Sequence, residues 1–485
     1  MAKLLFTHSY FLNLDPKQEE AGNAYPPLGT LYAASYLREN GHEVSLFDSM
    51  LAESPSRIFE KLDKEAPDYL VIYDDGFNYL TKMCLTNMRD AAFSLIIQAK
   101  EKNIPVIISS SDSTDHFEKY LEKGANFVIL GEGETTLFDL IGALESKAGL
   151  DSIQGIVYNQ DGQTFNGGKR PVLRDLDALP FPAWDLIDFK PYRKIWLKKV
   201  GYFSLNVVST RGCTYKCNWC AKPIFGNRYN ARTPAQVVEE LEYLIEFAGA
   251  THFWFCDDIF GLKPGWLQEF ANLVVEKGIK FSFKIQSRAD LMVDEKSVAA
   301  LAKAGCDTVW IGAESGSQKI LDAMEKGITI AQVYQSRELL KKYGVKTAFF
   351  LQFGYLGETR NDIDATLKMV MDLMPDDIGI SVSYPLPGTK LFEIVKNQLG
   401  DKTNWKDSDE MLMMFQNTYP QPFYKELQRY MHSLYRRKKS ILAVRRLLKT
   451  PQKVSLSLLR SAVMSLYHIP SSALKRRKLD TYKPL

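Results

Sequence analysis

The sequence predicts an α/β protein with two successive parallel sheets and a helical C-terminal region, on three observations. Short apolar and β-branched runs alternate with helical patterns over residues 1–148 and again over 201–395, and such alternation is typical of parallel sheets. The 485 residues exceed what one hydrophobic core normally supports. Strand patterns stop near residue 396, and basic, helical patterns follow. We therefore expect four parts: residues 1–148, 149–200, 201–395 and 396–485.

The first part is predicted to be a doubly wound parallel sheet. Five strand patterns lie at residues 4–6, 44–47, 69–72, 105–108 and 127–130. Helical patterns separate them at residues 28–39, in a stretch that ends near 99, at 115–123 and from 134 onwards. Ligands of such sheets bind in the crevice at the carboxyl ends of the strands. The loops expected at that edge are residues 23–29, 74–78, 109–113 and 131–134.

The second part is predicted to connect the two sheets. Asp161-Gly162 lies between two short strand patterns and predicts a hairpin turn. The run Leu179-Pro180-Phe181-Pro182 predicts an extended, rigid linker, because proline fixes φ and disfavours helix in the residue before it.

The third part is predicted to be a partial barrel of six β/α units. Its strand patterns lie at residues 204–208, 252–255, 280–285, 308–311, 347–351 and 378–382. In β/α barrels the functional groups follow the carboxyl ends of the strands. We therefore expect the residues after these strands to face one cavity.

Composition indicates a cytoplasmic protein. No apolar run reaches the roughly 18 residues of a membrane-spanning helix, and the N-terminal residues lack the apolar stretch and cleavage site of a signal peptide. Six cysteines fit a reducing compartment. Three of them, Cys84, Cys256 and Cys306, are expected to be buried as small hydrophobic residues.

The fourth part carries most of the positive charge. Residues 425–485 hold sixteen Lys or Arg and two acidic residues, a net charge of +14 that leaves −11 for residues 1–424. Basic and aliphatic residues alternate at helical spacing from Tyr435 to Lys449, and a second apolar stretch from Val454 to Tyr467 precedes a basic run. Such helices can lie on the anionic inner surface of a membrane. The alternative is a solvated or core-capping helix pair. Nucleic-acid binding is not expected, because no recognisable binding module accompanies the charge.

Three cysteines lie on one short stretch at the end of the first barrel strand, in the pattern Cys213-x-x-x-Cys217-x-x-Cys220. Thiolates are suited to iron-sulfur clusters, and three of them can bind three irons of a cubane while the fourth iron stays open to a ligand. The alternative is a zinc site completed by a histidine. Zinc ligands usually come as two spaced pairs, and no histidine lies near this stretch, His116 and His252 being the closest.

With Trp219 directly before its last cysteine, this stretch resembles the cluster loop of the radical S-adenosylmethionine (SAM) enzymes. The resemblance implies that Cys213, Cys217 and Cys220 bind a four-iron four-sulfur cluster. It also implies that SAM binds the open iron through its amino and carboxylate groups and is cleaved there to a 5′-deoxyadenosyl radical. A one-electron donor such as flavodoxin or ferredoxin is implied as a partner.

Segments after the other barrel strands are similar to the SAM-binding segments of the same family. The resemblance implies SAM contacts from Trp219, Asp257, Asp258, Arg288, Glu314, Ser315 and Gly354. Arg288 is expected to pair with the methionyl carboxylate, because a guanidinium binds a carboxylate through two donors. Each of these residues could instead be a solvated loop residue or a helix cap. Asp257 and Asp258 could also bind a divalent cation, although neighbouring strand residues point to opposite faces.

The first part resembles the cobalamin-binding domain of cobalamin-dependent radical SAM enzymes, in Tyr25-Pro26-Pro27-Leu28-Gly29 and in Gly131-Glu132-Gly133-Glu134. The implied cobalamin contacts are Pro27, Leu28, Gly29, Asp74, Ser109, Ser110, Gly131 and Glu132. Ser109-Ser110-Ser111-Asp112-Ser113 replaces the family's Gly-Gly-Pro-His-like run, and the Asp-x-His-x-x-Gly motif is absent. Cobalamin is therefore expected to bind without a protein imidazole ligand. The alternative is a domain of this fold that has lost its corrinoid.

The resemblance covers residues 26–424 and is closest to the anaerobic-cyclase and methyltransferase branch. It implies a radical SAM methyltransferase that acts on an unactivated carbon or phosphorus centre of a small molecule or lipid. Two alternatives remain open: oxidative cyclisation or rearrangement with the same cofactors, and a non-catalytic iron-sulfur or corrinoid sensor. No motif identifies the substrate.

Overall fold

The structure is a computed structural model that describes residues 1–400, 403–449, 452 and 455–485. Its first sheet contains strands β1 Lys3–Thr7, β2 Glu43–Leu46, β3 Tyr69–Tyr73, β4 Val106–Ser109, β5 Phe127–Ile129, β6 Ile156–Gln160 and β7 Gln163–Asn166. Their order is β2-β1-β3-β4-β5-β6-β7. The first five strands are parallel, as predicted, and form a Rossmann-like doubly wound sheet.

Eight helices accompany this sheet: α1 Pro16–Ala21, α2 Leu28–Glu39, α3 Ile58–Glu65, α4 Tyr79–Lys82, α5 Thr86–Glu101, α6 Ser111–Asp115, α7 Phe117–Lys123 and α8 Glu134–Ser146. The predicted helix at residues 28–39 is confirmed in full. The prediction of an irregular loop over residues 109–113 is wrong, because α6 begins at Ser111. Ser110 is the N-cap of α6, and its hydroxyl accepts a 2.8 Å hydrogen bond from the Ser113 amide.

The predicted hairpin at Asp161-Gly162 is confirmed, and both turn residues have positive φ. The hairpin also extends the first sheet, because β6 pairs antiparallel with β5. The segment that follows is anchored in the core. Trp184 is 1% exposed and donates from Nε1 to Glu240 at 3.1 Å. An unpredicted helix, α9 Phe189–Val200, then leads to the second sheet.

The second sheet contains β8 Ser204–Val207, β11 His252–Phe255, β12 Ser282–Ser287, β13 Cys306–Glu314, β14 Lys346–Phe353 and β15 Asp377–Val382, and a short separate pair is formed by β9 Thr210–Arg211 and β10 Asn230–Ala231. All six strands are parallel, in the order β15-β14-β13-β12-β11-β8. Their helices are α10 Pro234–Ala248, α11 Trp266–Glu276, α12 Glu295–Ala304, α13 Gln318–Ala323, α14 Ile330–Lys342, α15 Arg360–Leu373 and α16 Lys390–Val395. The predicted partial barrel of six β/α units is confirmed.

Hydrophobic packing joins the two sheets. One cluster of buried side chains runs from the first sheet into the barrel. Between β11, β12 and α11 it consists mainly of aromatic rings, among them Phe255, Phe270 and Phe283, which lie 5.4 to 6.0 Å apart. Edge-to-face contacts of this kind add to the hydrophobic stabilisation.

The C-terminal region consists of α17 Gln421–Lys449, α18 Leu456–Val463 and α19 Ser465–Leu479. The Tyr435 hydroxyl donates to the carbonyl of Pro375 at 2.7 Å, which fixes α17 to the barrel. The predicted apolar stretch began at Val454, which lies outside the described residues. None of the described helices is long and apolar enough to cross a membrane.

Candidate functional site

The three cysteines follow β8 and β9, at the carboxyl edge of the barrel. Gly212 precedes the first of them with φ +79°, and a Cβ there would overlap the carbonyl oxygen of Arg228. Only glycine combines this conformation with this close approach. The turn into the cysteine loop therefore depends on Gly212.

All three thiols are free, and Cys213 is 6% exposed. Burial raises the pKa of Cys213, and it raises the pKa of Cys220 to about 12 although Lys222 and Lys82 act in the opposite direction. Thiols in such surroundings become thiolates when a metal binds them.

The donor set fits a cluster better than a single ion. No group of three His, Cys, Asp or Glu side chains in the described part of the chain is arranged to bind one metal ion. In a cubane each thiolate binds a different iron. Three thiols spread along one loop are therefore the donor set that a cluster takes.

Two polar atoms next to this loop are buried without a hydrogen-bond partner: Trp219 Nε1 and Ser287 Oγ. Buried polar groups in proteins are almost always paired. Orphaned donors beside the cysteines therefore indicate a bound polar ligand at this edge.

Asn218 fixes the cysteine loop to the barrel. Its Oδ1 accepts from the Tyr355 hydroxyl at 2.8 Å, and its Nδ2 donates to the carbonyl of Ala323 at 2.6 Å. Its backbone amide donates to Met324 at 3.1 Å. The loop thus has a defined position even though it has little regular secondary structure.

Arg288 lies beside the cysteines, and its pairing with the methionyl carboxylate stays a prediction. Its Nη1 is 4.0 Å from Cys217 Sγ, and its guanidinium lies 3.6 Å from the centre of the Tyr215 ring. Asp290 accepts from Nε and Nη2 at 2.9 and 3.2 Å. The guanidinium therefore brings positive charge next to the thiol of Cys217.

Glu314 also lies near the cysteine loop, and the sequence did not indicate its partner, Lys326. Its carboxylate forms a buried ion pair with Lys326 at 2.7 Å, and Lys326 Nζ is 5.8 Å from the centre of the Trp219 ring. Glu314 has φ +55°, an uncommon conformation for a residue other than glycine. Backbone strain of this kind tends to occur at functional sites. The structure therefore brings Trp219, Arg288 and Glu314 together around the cysteine loop.

Asp257 and Asp258 point away from each other. Asp257 accepts from the amides of Ser209 and Thr210 at 2.8 and 2.6 Å. Burial raises its pKa to about 6, although these hydrogen bonds lower it. Asp258 forms a 2.7 Å ion pair with Lys82 of α4, in the first unit. The first carboxylate stabilises the approach to the cysteine loop, and the second joins the two units, so the two do not share a cation.

Ser315 and Gly354 lie at the ends of the next two strands and contact protein atoms. The Ser315 hydroxyl is 3.2 Å from Thr366 Oγ1. The Gly354 amide donates to Glu358 at 2.6 Å. A Cβ at Gly354 would overlap Met413, so the C-terminal region closes over this strand end. SAM contacts from these two residues stay a prediction.

The predicted cobalamin residues all lie at the carboxyl edge of the first sheet or in the loops beside it. Pro27 and Leu28 begin α2, and the Gly29 amide donates to Asp75 at 3.2 Å. Asp74 accepts from the amide and hydroxyl of Ser9 at 2.7 and 2.8 Å. These polar groups therefore stabilise the edge itself.

A buried hydroxyl without a hydrogen-bond partner lies next to the remaining predicted residues. Ser109 ends β4, Ser110 caps α6, and the Oγ of their neighbour Ser111 is buried without a partner. Gly131 has φ +76°, and a Cβ added there would meet only the carbonyl oxygen of Ile224, at 3.5 Å. An orphaned hydroxyl among small residues fits a ligand that bonds at this edge. Cobalamin contacts from these residues stay a prediction.

Glu132 has a partner that sequence analysis missed. Its carboxylate accepts from the Arg211 guanidinium, which also donates to Glu134 at 2.7 Å, and all three side chains are buried. The rings of Tyr32, Phe77 and Phe225 surround Arg211 at 5.2 to 5.4 Å. Arg211 directly precedes Gly212, so the Gly-Glu-Gly-Glu loop binds the start of the cysteine loop.

Arg211, Lys82 and Lys326 thus complete the site, and their positions explain why they were missed. Each is an isolated cation in its own segment, and its carboxylate partner is distant in sequence or lies across a turn. The only available signal was the place of Arg211 immediately before the cysteine pattern.

Residues 207–370 match the radical SAM superfamily. Two relatives extend the similarity to most of the chain. A protein named as an uncharacterized methyltransferase of Pyrococcus horikoshii is 30% identical over 392 residues, which is 79% of this chain and 82% of the relative. An anaerobic magnesium-protoporphyrin IX monomethyl ester cyclase of Rubrivivax gelatinosus is 27% identical over 406 residues, 81% of this chain and 69% of the relative.

Among solved structures, the radical S-adenosylmethionine methyltransferase TsrM of Kitasatospora setae, with cobalamin and a 4Fe-4S cluster bound, has the same fold. It matches with a TM-score of 0.69 at 19% identity, over 83% of this chain and 79% of that chain. The likeness includes both the doubly wound unit and the partial barrel, and at this identity it concerns the fold.

Proposed function

This chain belongs to the radical SAM superfamily, among methyltransferase and anaerobic-cyclase relatives, and on that premise we propose that it methylates an unactivated carbon or phosphorus centre of a small molecule or lipid. The observation that supports this most directly is the buried contact of Arg211 with Glu132 and Glu134. Through this contact the loop of Glu132 and Glu134, at the carboxyl edge of the first sheet, lies against the start of the cysteine loop. A methyl donor and a radical generator need this proximity to act on one substrate.

In this proposal Cys213, Cys217 and Cys220 bind the cluster, and the edge of the first sheet binds cobalamin. When bound, the cluster and SAM supply a radical that abstracts hydrogen, and cobalamin supplies the methyl group. A flavodoxin or ferredoxin delivers the electron.

The protein's own residues position and shield these groups. Arg288 and Lys326 bring positive charge to the thiolates and to the SAM-binding edge. Asn218 and Gly212 fix the loop, and the closure of the C-terminal region over Gly354 excludes water from the barrel edge. Exclusion of water protects a radical from side reactions.

The test of the radical step uses anaerobically reconstituted protein, a chemical reductant and SAM. Wild type should produce 5′-deoxyadenosine, and Cys213→Ala, Cys217→Ala or Cys220→Ala should abolish it. Cys306→Ala, which removes a buried thiol outside the loop, is the matched control and should retain it. Persistent 5′-deoxyadenosine in a loop variant would refute the cluster assignment.

The test of cobalamin binding uses the visible spectrum of the reconstituted protein after gel filtration. Cobalamin should co-elute in equimolar amount, with the spectrum of a corrinoid that has no protein imidazole ligand. A protein that retains the cluster but no corrinoid would contradict the methyl-transfer proposal.

A second candidate is supported by the cyclase relatives. It uses the same cofactors for oxidative ring closure or rearrangement, without a methyl donor. Mass spectrometry of the product separates the two, because methyl transfer adds the mass of one CH₂ and ring closure or rearrangement does not.

We also propose that the C-terminal helices contact an anionic membrane. Exposed apolar side chains concentrate on α18 and α19, the most exposed being Leu456, Val463, Leu466, Tyr467 and Leu474 at 61 to 87%. Basic residues lie next to them, among them Arg476 and Arg477. We call these residues the C-terminal surface. Exposed apolar groups flanked by cations are suited to bind an anionic bilayer, and each cation near its surface contributes about 1 kcal/mol to the binding free energy.

A further inference from the structure

The strands of the barrel have two different faces. Side chains that point towards the helices are fully buried, including Phe283 and Ile285 of β12. Side chains on the other face are only partly buried, in the alternating pattern of Ser282, Lys284 and Gln286. Because these strands are central in the sheet, this exposure arises on the concave side of the barrel. The concave face is therefore partly open, and a molecule can contact these side chains.

Lys284 lies in the middle of this face. In the register of the sheet it is flanked by Trp254 on β11 and Thr308 on β13. Its Nζ is 5.1 Å from the centre of the Trp254 ring and 5.5 Å from that of Tyr25, which comes from the first unit. The side chain is partly buried, and this burial lowers its pKa to about 8, partly offset by Cys256.

No carboxylate accompanies this lysine. Among the described residues, Lys284 forms no ion pair and no hydrogen bond, whereas the buried cations Arg211, Arg232 and Lys326 each pair with a glutamate. An unpaired charge inside a protein is costly. A partly buried cation without a protein anion is therefore suited to bind the anionic group of a ligand.

Aromatic rings form the wall next to it. Trp310 and Phe350, from β13 and β14, stack with ring centres 4.6 Å apart and an interplanar angle of 26°. Gly379 on β15 leaves room for both rings, because a Cβ there would lie 3.2 Å from each of them. The rings of Trp254, Trp310 and Phe350 thus line one concave surface, which favours contact with another flat ring.

Hydrogen-bonding groups on the same face are also unused. The side-chain amide of Gln286 and the ring nitrogens of Trp254 and Trp310 have no partner among the described residues, and the Oδ1 of Asn206 is buried without one. Ligand sites typically combine an apolar wall with a few polar groups of this kind.

From this arrangement we infer that the concave face of the barrel binds the substrate of the proposed reaction, and that this substrate is a flat ring system with an anionic group. Lys284 binds the anionic group, and Trp254, Trp310 and Phe350 contact the ring. The inference rests on the proposed function, because it identifies the chemical class on which that function acts. It adds a substrate-binding residue that lies on β12, four residues before Arg288 at the cluster edge.

The test measures the affinities of 2-naphthoate and 2-naphthamide for anaerobically reconstituted, full-length protein by equilibrium dialysis. The two probes share a flat ring and differ in one negative charge. Wild type should bind 2-naphthoate at least about tenfold more tightly, the effect expected of a buried charged hydrogen bond. Lys284→Met should remove the preference, and Lys284→Arg should retain it. Equal affinity for both probes in wild type would overturn the inference.

Two controls and one further site variant locate the binding. Lys303→Met changes an exposed lysine of α12 and should leave both affinities unchanged. Arg477→Gln changes the C-terminal surface and should also have no effect. Loss of the preference in Arg477→Gln, with retention in Lys284→Met, would place the anion site elsewhere and overturn the inference. Trp310→Ala should weaken both probes to a similar extent.

A pH series gives an independent measurement that does not depend on a variant folding. Around Lys284, burial raises the pKa of Tyr25 and of Cys256 and lowers that of His252 to about 4. Asp307 and Lys346, near His252, form an ion pair at 2.8 Å. Binding of 2-naphthoate should therefore weaken as the pH rises through about 8, whereas binding of 2-naphthamide should not change. A flat profile for 2-naphthoate would contradict the assignment to Lys284.

The two proposals can fail separately. Lys284-dependent binding of 2-naphthoate in a protein that does not cleave SAM would retain the cavity site and reject the radical mechanism. SAM cleavage in a protein that shows no preference for the anionic probe would retain the mechanism and reject this substrate class.

Discussion

Arg211 Nη2 and Glu134 Oε1 lie 2.7 Å apart, and both side chains are almost completely buried between the first unit and the barrel. Glu132 accepts a second hydrogen bond from the same guanidinium. The residue that starts the cysteine loop is thus bound by the loop that ends the predicted cobalamin edge. We expect this contact to couple the two sites mechanically.

Arg211→Gln should destabilise the protein and loosen the cysteine loop. Removal of the guanidinium leaves two buried carboxylates without a cation, and loss of one partner of a buried pair costs about 3–5 kcal/mol. Thermal unfolding should show a lower Tm, and iron analysis should show reduced cluster content after reconstitution.

Arg38→Gln is the matched control for Arg211→Gln. Arg38 pairs with Asp185 at 2.7 Å, but both side chains are more than one-third exposed. Surface ion pairs contribute only about 0–1 kcal/mol to the free energy of unfolding, so this substitution should have a small effect. Equal effects of the two substitutions would show that the buried contact has no special role.

Gly212→Ala should prevent cluster binding with a smaller effect on the rest of the fold. The new methyl group would overlap the carbonyl oxygen of Arg228 at a position with φ +79°, so the loop must move. Gly226→Ala is the control, because it has φ +66° and no atom within 4 Å of the added methyl group. We expect loss of the charge-transfer absorbance of the cluster only in Gly212→Ala, and equal absorbance in both variants would be evidence against the steric argument.

Much of this architecture could be predicted from the sequence, because alternation of strands and helices is a local property. All five strands of the doubly wound sheet and all six of the barrel follow from apolar runs. The short helix after Ser110 was missed because its signal is a single pair of serine hydrogen bonds. The extra sheet strands β6 and β7 were predicted as a hairpin, but their pairing with β5 depends on tertiary packing.

The site was predictable to a smaller extent. Cysteine spacing and strand ends identified the residues of the loop and of the edge, but the contacts between segments depend on the fold. Asp258 is an example, since its partner Lys82 lies 176 residues away. Lys284 gave a signal that was available in the sequence: the alternation Ser282, Lys284, Gln286 marks one face of β12 as polar. Without the barrel, that face cannot be distinguished from one that faces bulk solvent.

Glu358→Gln should make stability less dependent on pH. Burial raises the pKa of Glu358 to about 8, and its Oε2 accepts from the Gly354 amide. The folded state therefore retains a proton that the unfolded state has lost between about pH 4.5 and 8, so stability is highest below this window and falls by about 1.4 kcal/mol per pH unit within it.

A glutamine is neutral at every pH and can accept the same hydrogen bond. Denaturant unfolding at several pH values should therefore show a growing advantage of Glu358→Gln over wild type up to about pH 8 and a constant difference above it. Glu338→Gln, an exposed position on α14, serves as the control. Parallel pH profiles for wild type and Glu358→Gln would show that Glu358 is ionised in the folded state.

The C-terminal surface should bind vesicles that contain an anionic lipid. Wild type should sediment with vesicles of phosphatidylcholine and phosphatidylserine. The double variant Arg476→Gln with Arg477→Gln should bind these vesicles about 30-fold more weakly, since each cation contributes about 1 kcal/mol to the binding free energy. Leu466→Gln with Leu474→Gln should also weaken binding to the vesicles, because these side chains are 79% and 63% exposed.

Leu197→Gln with Val200→Gln removes exposed apolar groups of α9 and is the control. Retention should fall with added salt, because screening weakens the attraction of cations to the surface. Two results would reject the C-terminal surface as the site of membrane contact. One is that wild type binds pure phosphatidylcholine vesicles as well as the anionic ones, and the other is that the α9 variant and the C-terminal variants bind equally well.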